Sequence, residues 1–130
     1  MVLPNDLNEF LSVIKDNLLL SVKDKVVGMY IYGSISYDDF EESRSDIDIM
    51  VFVNGKISNK DIGDLKKIYE VPQIKNSKWL KKLEMDYICL DDIRPIKNIV
   101  KTVCFRGNKL IVSKIEGLSI DLSNILECGI

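Results

Sequence analysis

A Gly-Ser pair, Gly33 and Ser34, closes one apolar run, and two aspartates, Asp46 and Asp48, open the next with a single isoleucine between them. Alternate residues of an extended strand face the same way. Asp46 and Asp48 are therefore expected to project together, while Ile47 and Ile49 turn into apolar packing. Carboxylates held this close repel one another. A divalent cation relieves the repulsion, and hard oxygen donors favour Mg²⁺ over zinc or copper. One strand away, a helix starting at Gly33-Ser34 would offer free N–H groups and the Ser34 hydroxyl to an anion. An anion site beside a Mg²⁺ site is what a nucleoside triphosphate requires.

A further carboxylate is available downstream. The run Leu83–Leu90, LEMDYICL, reads as a strand with Glu84, Asp86 and Ile88 on one face and Leu83, Met85, Tyr87 and Cys89 on the other. An acid turned inward is costly unless something cationic lies beside it. A third carboxylate here would hold metal and take the proton of an attacking hydroxyl. Parity leaves both Glu84 and Asp86 open for that role.

The elements that must position these groups follow from periodicity. Leu7, Phe10, Leu11, Ile14, Leu18 and Leu19 recur at helical spacing, with Asn5 or Asp6 as the expected cap after Pro4. Val26–Tyr32, VVGMYIY, is β-branched and aromatic and reads as the strand that ends at Gly33. Ser34–Tyr37 is expected to begin a short helix, and 38–45 a polar loop in which Arg44 and Ser45 precede the aspartates. Asp46–Val53 is the second strand, and Asn54-Gly55 a tight turn. Ser58 or Asn59 can cap a helix over Asp61–Tyr69 that Val71-Pro72 ends, with Lys60, Lys66 and Lys67 on its wet side and Trp79 and Leu80 packing under the next strand. Asp91-Asp92 caps a new element, and Arg94-Pro95 breaks regularity. Ile99–Phe105 reads as a further strand, Arg106-Gly107-Asn108 as a turn into Leu110–Val112, and Ile120–Cys128 as a last helix.

Composition narrows the chemistry. A chain of 130 residues is expected to form one domain with a real core, and a formal charge of −2 carries no general nucleic-acid footprint. Histidine is absent, which excludes a Ser-His-Asp triad, a histidine base and His-ligated zinc. The three cysteines, Cys89, Cys104 and Cys128, have no paired spacing and are expected as reduced thiols of a cytoplasmic protein. The sequence has neither a signal-peptide pattern nor an apolar stretch long enough to span a membrane.

The combination IYGS…SDIDIMV resembles the signature of the nucleotidyltransferase superfamily, which has a DNA polymerase beta-like fold. Together with LEMDYICLDDIRP and the ending DLSNILECGI, it resembles the N-terminal domain of the aminoglycoside (streptomycin/spectinomycin-type) adenylyltransferases. Eleven residues separate Ser34 from Asp46, and Ile35-Ser36-Tyr37 replaces that family's small-residue, Arg, Gly run. The resemblance implies an α/β (α+β) nucleotidyltransferase fold: a small mixed sheet of about five strands with helices packed on one face. It implies a single domain over 1–130 without the helical C-terminal substrate domain of those enzymes. It further implies a cytoplasmic, Mg²⁺-dependent enzyme of EC 2.7.7 type that moves AMP from ATP to an acceptor hydroxyl, aminoglycoside-like and hence linked to antibiotic resistance. By this resemblance Asp46, Asp48 and Glu84 are catalytic and metal-binding, with Asp86 as the alternative third carboxylate, and Gly33, Ser34 and Ser45 hold the nucleotide. Two other readings stay open: the small acidic domain also suits a minimal nucleotidyltransferase of a toxin–antitoxin pair with a small helical partner protein, and the altered Ile35-Ser36-Tyr37 loop and short end suit a non-catalytic binding module on the same fold.

Overall fold

The computed structural model describes residues 4–22, 24–32, 46–92, 99–107 and 109–116. The chain runs α1 (Asn5–Val22), β1 (Val26–Tyr32), β2 (Ile47–Val53), α2 (Asn59–Ile68), α3 (Pro72–Lys75), β3 (Leu83–Cys89), β4 (Ile99–Arg106) and β5 (Lys109–Glu116). Short 3₁₀ turns at Leu80–Lys82 and Leu90–Asp92 bracket β3. The expected last helix, Ile120–Cys128, lies outside the described residues, as does the segment around Arg94-Pro95.

The five strands form one mixed sheet in chain order. β1 and β2 are antiparallel, β2 and β3 parallel, and β3, β4 and β5 antiparallel in turn. The parallel pair exists because α2 and α3 carry the chain back across the sheet, as a parallel connection requires. β1 opens with a bulge between Val26 and Gly28 that leaves Val27 exposed at the sheet edge. Gly28 is where the Tyr30 ring comes down to meet Phe52 edge-on, at 5.6 Å; a Cβ on Gly28 would lie 2.8 Å from Tyr30 Cε2.

The helices pack on one face of the sheet. Leu7, Phe10, Ile14 and Leu18 of α1 and Leu65 and Ile68 of α2 form a single cluster with Ile49, Val51, Met85, Tyr87 and Phe105. Trp79, 2 % exposed, closes this core as expected, and the Tyr69 and Tyr87 hydroxyls share a buried hydrogen bond of 2.6 Å inside it.

Several local expectations are corrected. Asn5 and Asp6 do not cap α1: they are already helical, and the Pro4 carbonyl accepts from Leu7 and Asn8. Leu19 is 40 % exposed, because it sits about 100° round the helix from Leu18 and falls off the apolar stripe. α2 starts two residues early at Asn59, with Ser58 as its cap in a reciprocal capping box with Asp61. Lys25 pairs with Asp61, tying the α1–β1 turn to this helix start. Pro72 does not merely follow a helix end; α2 stops at Ile68, and Pro72 occupies the first position of α3, where its missing N–H costs nothing. Gly55 has φ +83° and makes the expected turn after β2. β5 is longer than Leu110–Val112, since its pairing with β4 continues from Arg106↔Lys109 to Ile99↔Glu116.

Candidate functional site

Strands β2 and β3 bring the acidic residues to one end of the sheet face opposite the helices. Asp46 lies immediately before β2 and is exposed, while Asp48 is the second residue of the strand and is half-buried. β3 runs parallel to β2 with Glu84 directly in register with Asp48. Asp86 falls beside Met50, one pleat further into the sheet. From the other side, Tyr32 is in register with Asp48, so β1 delivers the chain to this end of the sheet just before Gly33. Gly33, Ser34, Arg44 and Ser45 lie outside the described residues.

The carboxylates interact strongly. Burial pushes the Asp48 carboxyl up, and a side-chain hydrogen bond with Glu84 and the charges of Glu84 and Asp46 raise it further, to about 7, against the opposing pull of Arg106. Asp48 therefore keeps a proton to near neutral pH, as expected where like charges share a half-buried site. Among the described residues no three ligand-type side chains already converge on one point. The donor chemistry still suits a hard divalent cation, since Asp46, Asp48 and Glu84 offer oxygen alone and their repulsion is what a cation relieves.

Arg106 is the residue that sequence reasoning placed elsewhere. It was expected in a turn, but β4 extends through it. The antiparallel register Met85↔Phe105 and Asp86↔Cys104 carries Arg106 to the position facing Glu84. Its Nη1 donates to Glu84 Oε2 at 2.8 Å, and its Nη2 donates to Asp86 Oδ1 and Oδ2 at 2.9 and 3.2 Å. Burial alone would lower the Arg106 guanidinium, but the charges of Asp86 and Glu84 outweigh it and hold it above its ordinary value. The sequence did carry a signal: Thr102, Cys104 and Arg106 alternate like the site-facing residues of the neighbouring strands.

The Cys89 and Cys104 side chains are buried. Among the described residues no helix is long and apolar enough to cross a membrane.

A family model described as a nucleotidyltransferase domain matches residues 11–121. A solved structure of the spectinomycin adenyltransferase AAD(9) from Enterococcus faecialis, with ATP and spectinomycin, superposes with a TM-score of 0.70 at 19 % identity. The match covers 90 % of this chain and 52 % of that one, so the chain spans about half the length of the structure it resembles. No curated protein matches the sequence.

Proposed function

The chain belongs to the nucleotidyltransferase domain family, and from that premise we propose that it moves AMP from ATP to an acceptor hydroxyl in a Mg²⁺-dependent reaction. Nucleotidyl transfer is the reaction class of the family. The observation that supports the finer reading is the pairing of Asp48 with Glu84 across adjacent parallel strands, with Asp46 at the mouth of the same strand end.

In this reading Asp46 and Asp48 hold Mg²⁺ and the triphosphate, and Glu84 is the third carboxylate and the general base. Glu84 takes that role over Asp86 on two grounds. Glu84 lies beside Asp48 and is 35 % exposed, within reach of a substrate, whereas Asp86 lies beside Met50 and is 2 % exposed. A bound Mg²⁺ would supply charge neutralisation to the triphosphate. Glu84 accepts the proton of the acceptor hydroxyl as its oxygen bonds to the α-phosphorus; the bond from that phosphorus to the bridging oxygen of the β-phosphate breaks, and pyrophosphate leaves. Gly33, Ser34 and Ser45 are proposed to bind the phosphates, in keeping with β1 ending beside Asp48. We take 1–130 as one nucleotidyltransferase domain acting in the cytoplasm. The solved relative was crystallised with spectinomycin, and an acceptor of that aminoglycoside-like class is the first to try.

The test is a thermal-shift titration with ATP, with and without Mg²⁺, on the wild type and on Asp46→Asn/Asp48→Asn. A ligand that binds only the folded state adds about 2.7 kcal/mol at roughly a hundredfold excess over Kd. The expected result is a Mg²⁺-dependent shift lost in the double variant, followed by pyrophosphate release on addition of an acceptor. No shift in the wild type would overturn the triphosphate site. A shift without pyrophosphate release from any hydroxyl acceptor would instead favour the non-catalytic binding module.

A further inference from the structure

We propose that Arg106 is a positioning residue for Glu84: its guanidinium, clamped by the buried Asp86, fixes the carboxylate that completes the cation site. The inference rests on the reading of Asp46, Asp48 and Glu84 given above, and it extends that reading to a basic residue on another strand.

On charge alone an arginine is out of place here. It repels the cation that the carboxylates are there to attract. What it supplies is geometry. The guanidinium is planar, and its N–H groups point in fixed directions relative to one another. Nη2 is held on both oxygens of Asp86, at 2.9 and 3.2 Å. Asp86 is itself set by the sheet, because β3 lies between β2 and β4 and the side chain is 2 % exposed. With Nη2 anchored, the direction of Nη1 is decided, and Nη1 meets Glu84 Oε2 at 2.8 Å. Glu84 is long and partly exposed, so unassisted it would spread over several rotamers and lose that freedom on binding. Arg106 imposes the loss in advance.

Simple neutralisation of Asp86 accounts for only half of the fork. It requires no contact with Glu84, yet Arg106 lies opposite Glu84 in the sheet and bonds to it. Arg106 is also 39 % exposed, so solvent screens its repulsion of a cation more than it weakens the directed hydrogen bonds.

The test is a double-mutant cycle read by Mn²⁺ binding, followed by electron paramagnetic resonance on the full chain. Arg106→Lys keeps a charge for Asp86 but loses the two-pronged fork. It is made in the wild type and in the Glu84→Gln background. If Arg106 acts through Glu84, Arg106→Lys weakens Mn²⁺ at least about fivefold in the wild type and by less than about twofold in the Glu84→Gln background. The Mn²⁺ line shape should change on Arg106→Lys only where Glu84 is present. Equal changes in both backgrounds would make Arg106 a general charge or scaffold and overturn the inference alone. A wild type that binds no Mn²⁺ would remove the cation site and this inference together.

Discussion

The two faces of the sheet are made by the same strands and do opposite things. On the helix-covered face β2 presents Ile47, Ile49, Val51 and Val53, and β3 presents Leu83, Met85, Tyr87 and Cys89, every one buried and apolar or nearly so. On the other face the same strands present Asp48, Met50 and Phe52, and Glu84, Asp86 and Ile88. Met50, Phe52 and Ile88 are as buried as their neighbours across the sheet. The difference is confined to one end, where β2 carries Asp48 and β3 carries Glu84 and Asp86 in place of apolar residues. The lesson is that stability and chemistry are divided by pleat and by position along the strand. The helix face holds the domain together, and at the acidic end of the other face Asp48 is held against the like charges of Glu84 and Asp46 at a cost in stability.

That division can be broken from either side. The largest effect is expected from the helix face. Trp79→Ala empties a fully enclosed site and should cost about 3–5 kcal/mol in chemical denaturation. A loss below about 1 kcal/mol would show that the core does not depend on this residue.

The acidic end should respond in the opposite sense. The folded-state pKa of Asp48 is raised from 3.8 to about 7. A raised carboxyl contributes its stability below its unfolded pKa and loses it as pH rises through the folded value. The metal-free wild type should therefore lose stability relative to Asp48→Asn between about pH 4 and pH 7. At pH 8 the variant should be more stable by about 1–2 kcal/mol, a figure reduced for the partial exposure of the group. Urea denaturation at a series of pH values measures it, and parallel curves for the two proteins would contradict the shared acidic site. Saturating Mg²⁺ should narrow the gap by stabilising the wild type alone.

The smallest effect belongs to the frame that joins the two regions. Ser58→Ala removes the cap of α2, the helix that carries the chain from β2 toward β3, and should cost about 1 kcal/mol without altering Mg²⁺ dependence. A change in Mg²⁺ dependence would mean that the crossover and the acidic end are coupled, contrary to the comparison.

Much of this was legible beforehand, for reasons that differ by residue. The strands β1, β2 and β3 were readable within a residue because alternation and β-branching act locally, and α2 was readable from the Ser58 capping signal. The nearness of Asp46 to Asp48 was readable from their spacing, and that of Glu84 to Asp48 from the family resemblance. Parity also put Glu84 and Asp86 on one face. The phosphate-binding expectation for Gly33, Ser34 and Ser45 falls on residues outside those described.

Parity could not choose between the two acids, because both are an even step apart on one strand. Strand order and register set their surroundings apart: β2 places Asp48 against Glu84, while β4 turns Arg106 toward Glu84 and Asp86 together. A residue beside a glycine reads locally as a turn, and only pairing with β3 makes Arg106 the last residue of a strand. Local sequence thus determined which residues carry charge and which way each strand faces. The tertiary structure decided which charges meet, because hydrogen-bond register between strands distant in sequence is settled by the packing of the whole sheet and not by any one segment.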